Sequence, residues 1–271
     1  GIYDAFYNQN TDVANDPIYS TFQRLISQLE EAGISVVSAA GNNYAANSNN
    51  DQLRENLTIP AFTSTEAVGA VWKDGSVNNA RWSGSRDITT GADRLVSFSQ
   101  RLSTYGGMVF APGAVIDSTL PGDQIGGLSG TSQATPMVTG VVALLQDAAL
   151  TFGDRTLTPD EIRRILRDTA DRIVDGDDEN TTVTASGSSY LRIDVYDAVQ
   201  AVDRLFNPVS QPQEPQEPDQ IANTYYSFRF EFNELSGQYG DFYEGFGFQN
   251  GLTGQLGLLS YVLSYGEELV E

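Results

Sequence analysis

The sequence predicts an α/β fold, a mostly parallel sheet flanked by helices, followed by a small antiparallel β segment. Three observations carry this. Helix-period and strand-like stretches alternate along residues 16–206. The strand-like stretches are continuous apolar runs, the pattern of strands covered on both faces. Beyond residue 207 the pattern turns to a Pro-rich stretch and then to strict two-residue alternation.

The first element is DPIYSTFQRLISQLEEAG, residues 16–33. Asp16 caps a helix, Pro17 suits its first position, and Ile18, Phe22, Leu25, Ile26 and Leu29 recur at helical spacing until Gly33. ISVVSAAGN follows, its Ile34, Val36 and Val37 reading as a strand buried on both faces. AVGAVW (67–72) and GMVFAPG (107–113) read as two more buried strands, the second ending in a Pro-Gly turn. A helix is expected after Thr131, through VVALLQDAAL, with Pro136 in its first turn. TPDEIRRILRDTA (158–170) opens on a capping box, Thr158 with Glu161, and carries Pro159 at the first helical position. Residues 190–206 read as a short strand or turn feeding a last helix.

Three segments follow from this. Residues 1–206 form the main domain, 207–222 a linker stiffened by prolines, and 223–271 a β-rich accessory segment. In the last, Tyr226, Phe228, Phe230 and Phe232 face one way, and FGFQNGLTGQLGLL carries an Asn-Gly hairpin signal.

Composition narrows the function classes. The chain holds 36 acidic and 15 basic residues, a net charge of −21, and its one lysine is Lys73. Phosphate binding needs a basic patch, so nucleic acid is not an expected partner. The longest apolar runs fall short of the roughly 20 residues a membrane span needs, so none is expected. An acidic, lysine-poor surface suits a saline or extracellular setting; plain solubility through net charge explains it equally well. With neither cysteine nor histidine in the chain, any metal must be held by oxygen, which favours calcium. DGDDEN (175–180) offers such oxygens but lacks the glycine and distal glutamate of an EF-hand, and reads as a solvated loop. Asn56 and Asn180 begin glycosylation triplets, which are common by chance.

The chemistry-bearing stretch is LSGTSQATPMVTG, residues 128–140. It sets Ser132 at the start of an apolar helix, where free main-chain N–H groups and the helix dipole stabilise negative charge. Gly130 allows a sharp turn there, and small neighbours leave room for a substrate. On this stretch alone, capping by Thr131 or Ser132 is the simpler reading.

GTSQATPMVTGVVALL resembles the Gly-Thr-Ser-x-Ala-(Ser/Thr)-Pro signature of the subtilisin-like serine proteases. Further stretches match in the family's order: VVSAAGN (36–42), IPAFTSTEAVGAV (59–71), SFSQ (97–100) and FAPGAVIDST (110–119). The resemblance covers roughly residues 17–206. It implies an incomplete subtilisin-like fold, a polypeptide substrate and secretion. Ser132 would be the nucleophile, and Asn42 with the Ser132 N–H would form the oxyanion hole. Ala39, Ala40, Gly41, Gly130 and Thr131 would bind substrate, with Ala39–Gly41 as one pocket wall. The chemistry needs no cofactor, and a structural calcium is compatible with it.

One departure matters. The family order is Asp, then His, then Ser, yet no histidine precedes Ser132. Asp4, Asp12 and Asp16 do not stand in an Asp-(Ser/Thr)-Gly context. The preferred reading is a fragment whose partner is the missing N-terminal part of the same protease, inactive until completed. The alternative is a catalytically dead scaffold that binds peptides or proteins.

Overall fold

The computed structural model describes residues 6–7, 13, 15–63 and 66–208, with two further strands at 226–228 and 246–248. Asp4, Asp12, most of the linker and the rest of the aromatic tail lie outside the described residues.

The elements run in order as β1 (Phe6–Tyr7), α1 (Pro17–Glu31), β2 (Val37–Ala39), α2 (Tyr44–Asn47), β3 (Leu57–Thr58), α3 (Ile59–Thr63) and β4 (Glu66–Trp72). Then come β5 (Ala80–Trp82), β6 (Ser85–Asp87), β7 (Met108–Ala114), β8 (Ile116–Leu120), β9 (Gln124–Leu128) and α4 (Thr131–Gly153). The chain continues through α5 (Pro159–Asp168), β10 (Asp171–Val174), β11 (Ser189–Arg192), α6 (Val195–Phe206), β12 (Tyr226–Phe228) and β13 (Phe246–Phe248).

The central sheet has the order β10-β11-β7-β4-β2. β2, β4, β7 and β11 are parallel, and β10 closes one edge antiparallel to β11. The expected α/β fold is therefore present. Val68, Ala70, Val109 and Ala111 face one way and pack against α4, α5 and α6, through Met137, Val141, Leu145, Ile162 and Val202. Ala67, Val71, Met108 and Phe110 face the other way, toward Leu57, Ala61 and Leu95. Both faces of β4 and β7 are thus covered, which is why their sequences are apolar without alternation.

The helix boundaries follow the local signals. Asp16 Oδ1 accepts from the N–H groups of Ile18 and Tyr19 at 2.8 and 3.0 Å. Gly33, at φ +80°, ends α1 in a Schellman turn, with Gly33 N–H donating to Glu30 O and Ile34 N–H to Leu29 O. The capping box of α5 is complete, since Thr158 accepts from Glu161 N–H and Glu161 accepts from Thr158 N–H.

Three expectations are corrected. The strand predicted from Ile34 to Val37 is instead Val37–Ala39, at the sheet edge and only half-buried, and Ile34 remains 49% exposed. Among the described residues β2 pairs on one side only, with β4. Pro136 is the sixth residue of α4, inside the helix and not in its first turn. Its missing N–H leaves the Ser132 carbonyl without its helical donor. The DGDDEN loop is organised: Asp175 is buried and paired with Arg101 at 2.6 Å, and Glu179 accepts from Leu95 and Gly176 N–H groups. A buried arginine lacking a partner is costly, and Asp175 supplies it from 74 positions away, a coupling that no local pattern announces.

Candidate active site

Ser132 lies exposed on the second residue of α4, just beyond the C-terminal ends of β2 and β7. The chain leaves β7 and runs through the β8–β9 hairpin. It returns to α4 at Gly130, whose N–H donates to Gly113 O at 2.8 Å. Glycine is required at Gly113, and a side chain at Gly130 would crowd its neighbours. A Cβ on Gly113 would stand 2.8 Å from the Gly130 carbonyl oxygen and 3.0 Å from the Ala134 Cβ. One on Gly130 would stand 3.3 Å from Asn42 Nδ2.

Asn42 comes from the turn after β2. Its Oδ1 accepts from Thr131 N–H at 2.8 Å and from the Thr131 hydroxyl at 3.0 Å, across 89 positions of sequence. The same hydroxyl oxygen accepts from Gly41 N–H at 3.1 Å. Two donors on Oδ1 fix the orientation of the amide and leave its Nδ2 free to donate. Ser132 N–H is the second of the helix's first-turn donors and has no intrahelical acceptor. Asn42, through Thr131, is thus tied to the residue that precedes the exposed Ser132, and two donors, Asn42 Nδ2 and Ser132 N–H, belong to this neighbourhood. Donors of this kind are what an oxyanion at a serine needs.

All seven sequence-predicted positions fall in two adjoining stretches: Ala39, Ala40, Gly41 and Asn42 on one, Gly130, Thr131 and Ser132 on the other. Ala40 is buried, and its carbonyl accepts from Thr58 N–H at 3.1 Å. Sequence alone places Thr131 beside substrate; its bridging hydrogen bonds are not legible there because they depend on a partner 89 positions away. Asp16 is a helix cap, and its carboxylate also accepts from the Tyr7 hydroxyl. That bond, foremost, and the cap hold its pKa below the usual carboxylate range.

Among the described residues, no group of three or more acidic side chains gathers into a metal site. Asp178 is paired with Arg94 at 3.0 Å. A cavity of about 160 Å³ lies beside Arg101, Asp175 and Glu179; no predicted site residue lines it. Asn56 is buried, with its amide bonded to the Leu53 carbonyl and to Gln100, so its glycosylation triplet is closed in this fold.

Known proteins resemble this chain in sequence and in fold. The chain is 34% identical over 176 residues to the thermophilic serine proteinase of Bacillus sp. strain AK1, covering 58% of this chain and 39% of that one. It is 35% identical over 144 residues to subtilisin of Bacillus pumilus, covering 51% and 43%. It thus spans about two fifths of the length of these relatives. Among solved structures, the prenylagaramide maturation protease PagA matches the fold with a TM-score of 0.51 at 22% identity, over 73% of this chain and 59% of that one. The family model of the subtilases matches residues 1–205, the whole body that carries Asn42 and Ser132. The chain belongs to the subtilase family.

Proposed function

We propose that this chain is the nucleophile-bearing part of a subtilisin-like serine endopeptidase. The observation that carries the reading is the pair of hydrogen bonds from Thr131 to Asn42, which sets an amide donor beside Ser132. In the reaction, Ser132 Oγ bonds to the carbonyl carbon of a peptide while a base takes its proton. The carbonyl oxygen becomes an oxyanion held by Asn42 Nδ2 and Ser132 N–H. The C–N bond then breaks, the amine leaves with the proton, and water releases the acyl group from Ser132. Ala39–Gly41 flanks the substrate side chain before the scissile bond.

The base is a histidine outside this chain, oriented by an aspartate. The partner that supplies both is the N-terminal part of the same protease. Two features support such a partner. Among the described residues β2 has an unpaired edge, and Ile18, Leu25 and Leu29 of α1 are 46%, 45% and 39% exposed along the same side of the chain's first helix. The chemistry needs no cofactor. A structural calcium would rest largely on main-chain and neutral oxygens, and a calcium-dependent rise in Tm tests for it. The acidic composition fits a secreted enzyme, with residues 207–222 linking it to an accessory β segment at 223–271.

The second reading, a scaffold without activity, is favoured by the absence of histidine. Mixing the chain with a histidine-bearing N-terminal part separates the two. Peptide hydrolysis that appears on mixing and vanishes with Ser132→Ala supports the protease. Stable assembly without turnover supports the scaffold.

A further inference from the structure

Gly41 and Asn42 are gripped from two sides, and the proposed mechanism uses only one of them. Thr131 holds the front. Behind the turn lies Gln100, fully buried. Its main-chain N–H donates to Gly41 O at 2.9 Å, and its side-chain Oε1 rests so close to Gly41 that a Cβ there would be 1.7 Å away. Gly41 has φ +114°, which side chains other than hydrogen rarely adopt.

The orientation of the Gln100 amide is set by a relay. Asn56 Nδ2 donates to the Leu53 carbonyl, so Asn56 Oδ1 is the end that faces Gln100. Gln100 Nε2 donates to that Oδ1 at 2.6 Å, which turns Gln100 Oε1 toward Gly41. Among the described residues Oε1 has no donor, although it is buried. A buried acceptor without a partner is costly, so the bond from Nε2 to Asn56 accounts for one end of the amide, while stability does not account for Oε1 set against Gly41.

We propose that Gln100 is a positioning residue for catalysis: it braces Gly41 from behind so that Asn42 Nδ2 is aimed at the oxyanion. The inference rests on the oxyanion role proposed above for Asn42. The Gly41–Asn42 peptide is trans, so its N–H points opposite to its C=O. With the carbonyl tied to Gln100 N–H, the peptide plane is fixed. With Oε1 filling the space where a Cβ would be, Gly41 cannot relax backward. Asn42 follows directly in sequence and inherits that orientation, and Thr131 reads it from the other side.

The test is a double-mutant cycle in peptide hydrolysis, using the chain assembled with its histidine-bearing part. Gln100→Ala is expected to lower kcat about 10- to 100-fold with KM nearly unchanged, as a small misplacement of a catalytic donor does. In an Asn42→Ala background the same substitution is expected to cost nothing further, because the donor it aims is gone. A purely structural role would lower kcat by the same factor in both backgrounds, and that result overturns the proposal, as does an unchanged kcat. Should Gln100→Ala fail to fold, Gln100→Ser, which also withdraws the side chain from Gly41, takes its place with the same two outcomes. A wild-type assembly that folds but never turns over overturns the protease reading itself, and this inference with it.

Discussion

Removing the amide of Asn42 isolates one of the two oxyanion donors proposed above. Asn42→Ala in the completed protease is expected to lower kcat by about 100- to 1000-fold while leaving KM within a few-fold. That magnitude is carried over from the oxyanion asparagine of subtilisin, a relative of this chain. Steady-state kinetics on a peptide substrate checks it. Gly41→Ala acts more bluntly. The new methyl would meet Gln100 Oε1 at 1.7 Å and demand φ +114° of an alanine, so a lowered Tm and lost activity are expected together. At this scale the motifs of the sequence anticipate that the Asn42 and Ser132 stretches meet, which the bonds from Thr131 to Asn42 show. The sequence is silent on Gln100, which stands inside SFSQ with no role of its own. A glutamine's role depends on what its amide faces, and here both neighbours, Asn56 and Gly41, lie more than forty positions away.

Helices are legible wherever the capping chemistry is local. Asp16-Pro17 and Thr158-Pro159 mark the starts of α1 and α5, and both side chains make the predicted cap bonds. Thr158→Ala is expected to cost about 1 kcal/mol of stability, read as a shift in the urea midpoint at unchanged slope. Strands are legible where both faces are covered. β4 matches its apolar run; β7 runs on to Ala114, so the expected Pro-Gly turn is instead part of the strand, opposite a register shift at Val71–Trp72, and β2 sits at the edge and begins three residues later than its run suggests. The β5–β6 and β8–β9 hairpins are not anticipated. ARWSGSRD and IDSTLPGDQIGGL have little apolar alternation, and their turn residues read only as loop. What fixes β5–β6 lies partly outside it: Arg86 N–H donates to the Thr182 hydroxyl at 2.8 Å, 96 positions away, and Asp87, buried, accepts from the Ser97 hydroxyl at 2.9 Å and from the Trp82 indole. Burial raises the pKa of that carboxyl, and these donors pull against the rise.

For the whole molecule, two charge effects set stability against conditions. Glu66 opens β4 fully buried, and among the described residues neither carboxyl oxygen has a hydrogen-bond partner. Burial pushes its pKa up to about 8; Arg163 and Arg167 of α5 oppose the rise and Glu30 of α1 adds to it. Because the folded pKa lies above the unfolded value of 4.5, the folded state holds more protons between these limits. Stability therefore falls as pH rises from about 4.5 to about 8 and levels off above, by roughly 5 kcal/mol at most. Glu66→Gln is expected to flatten that slope in urea titrations across the window. The net charge of −21 acts in parallel: added salt screens self-repulsion, so Tm is expected to rise with sodium chloride. Charge balance is plain in the sequence, but Glu66 is not, since nothing in TSTEAVGAV says that its glutamate faces a helix layer.

The central claim is that an exposed hydroxyl and a carboxamide far apart in the chain form one reactive centre. Fluorophosphonate labelling of the completed protease tests it most directly, with the adduct mapped by mass spectrometry and its rate compared in Asn42→Ala. A single adduct on Ser132, formed about 100-fold or more slowly in the variant, is the outcome this account predicts. An unlabelled Ser132, or labelling at the same rate without Asn42, would contradict it.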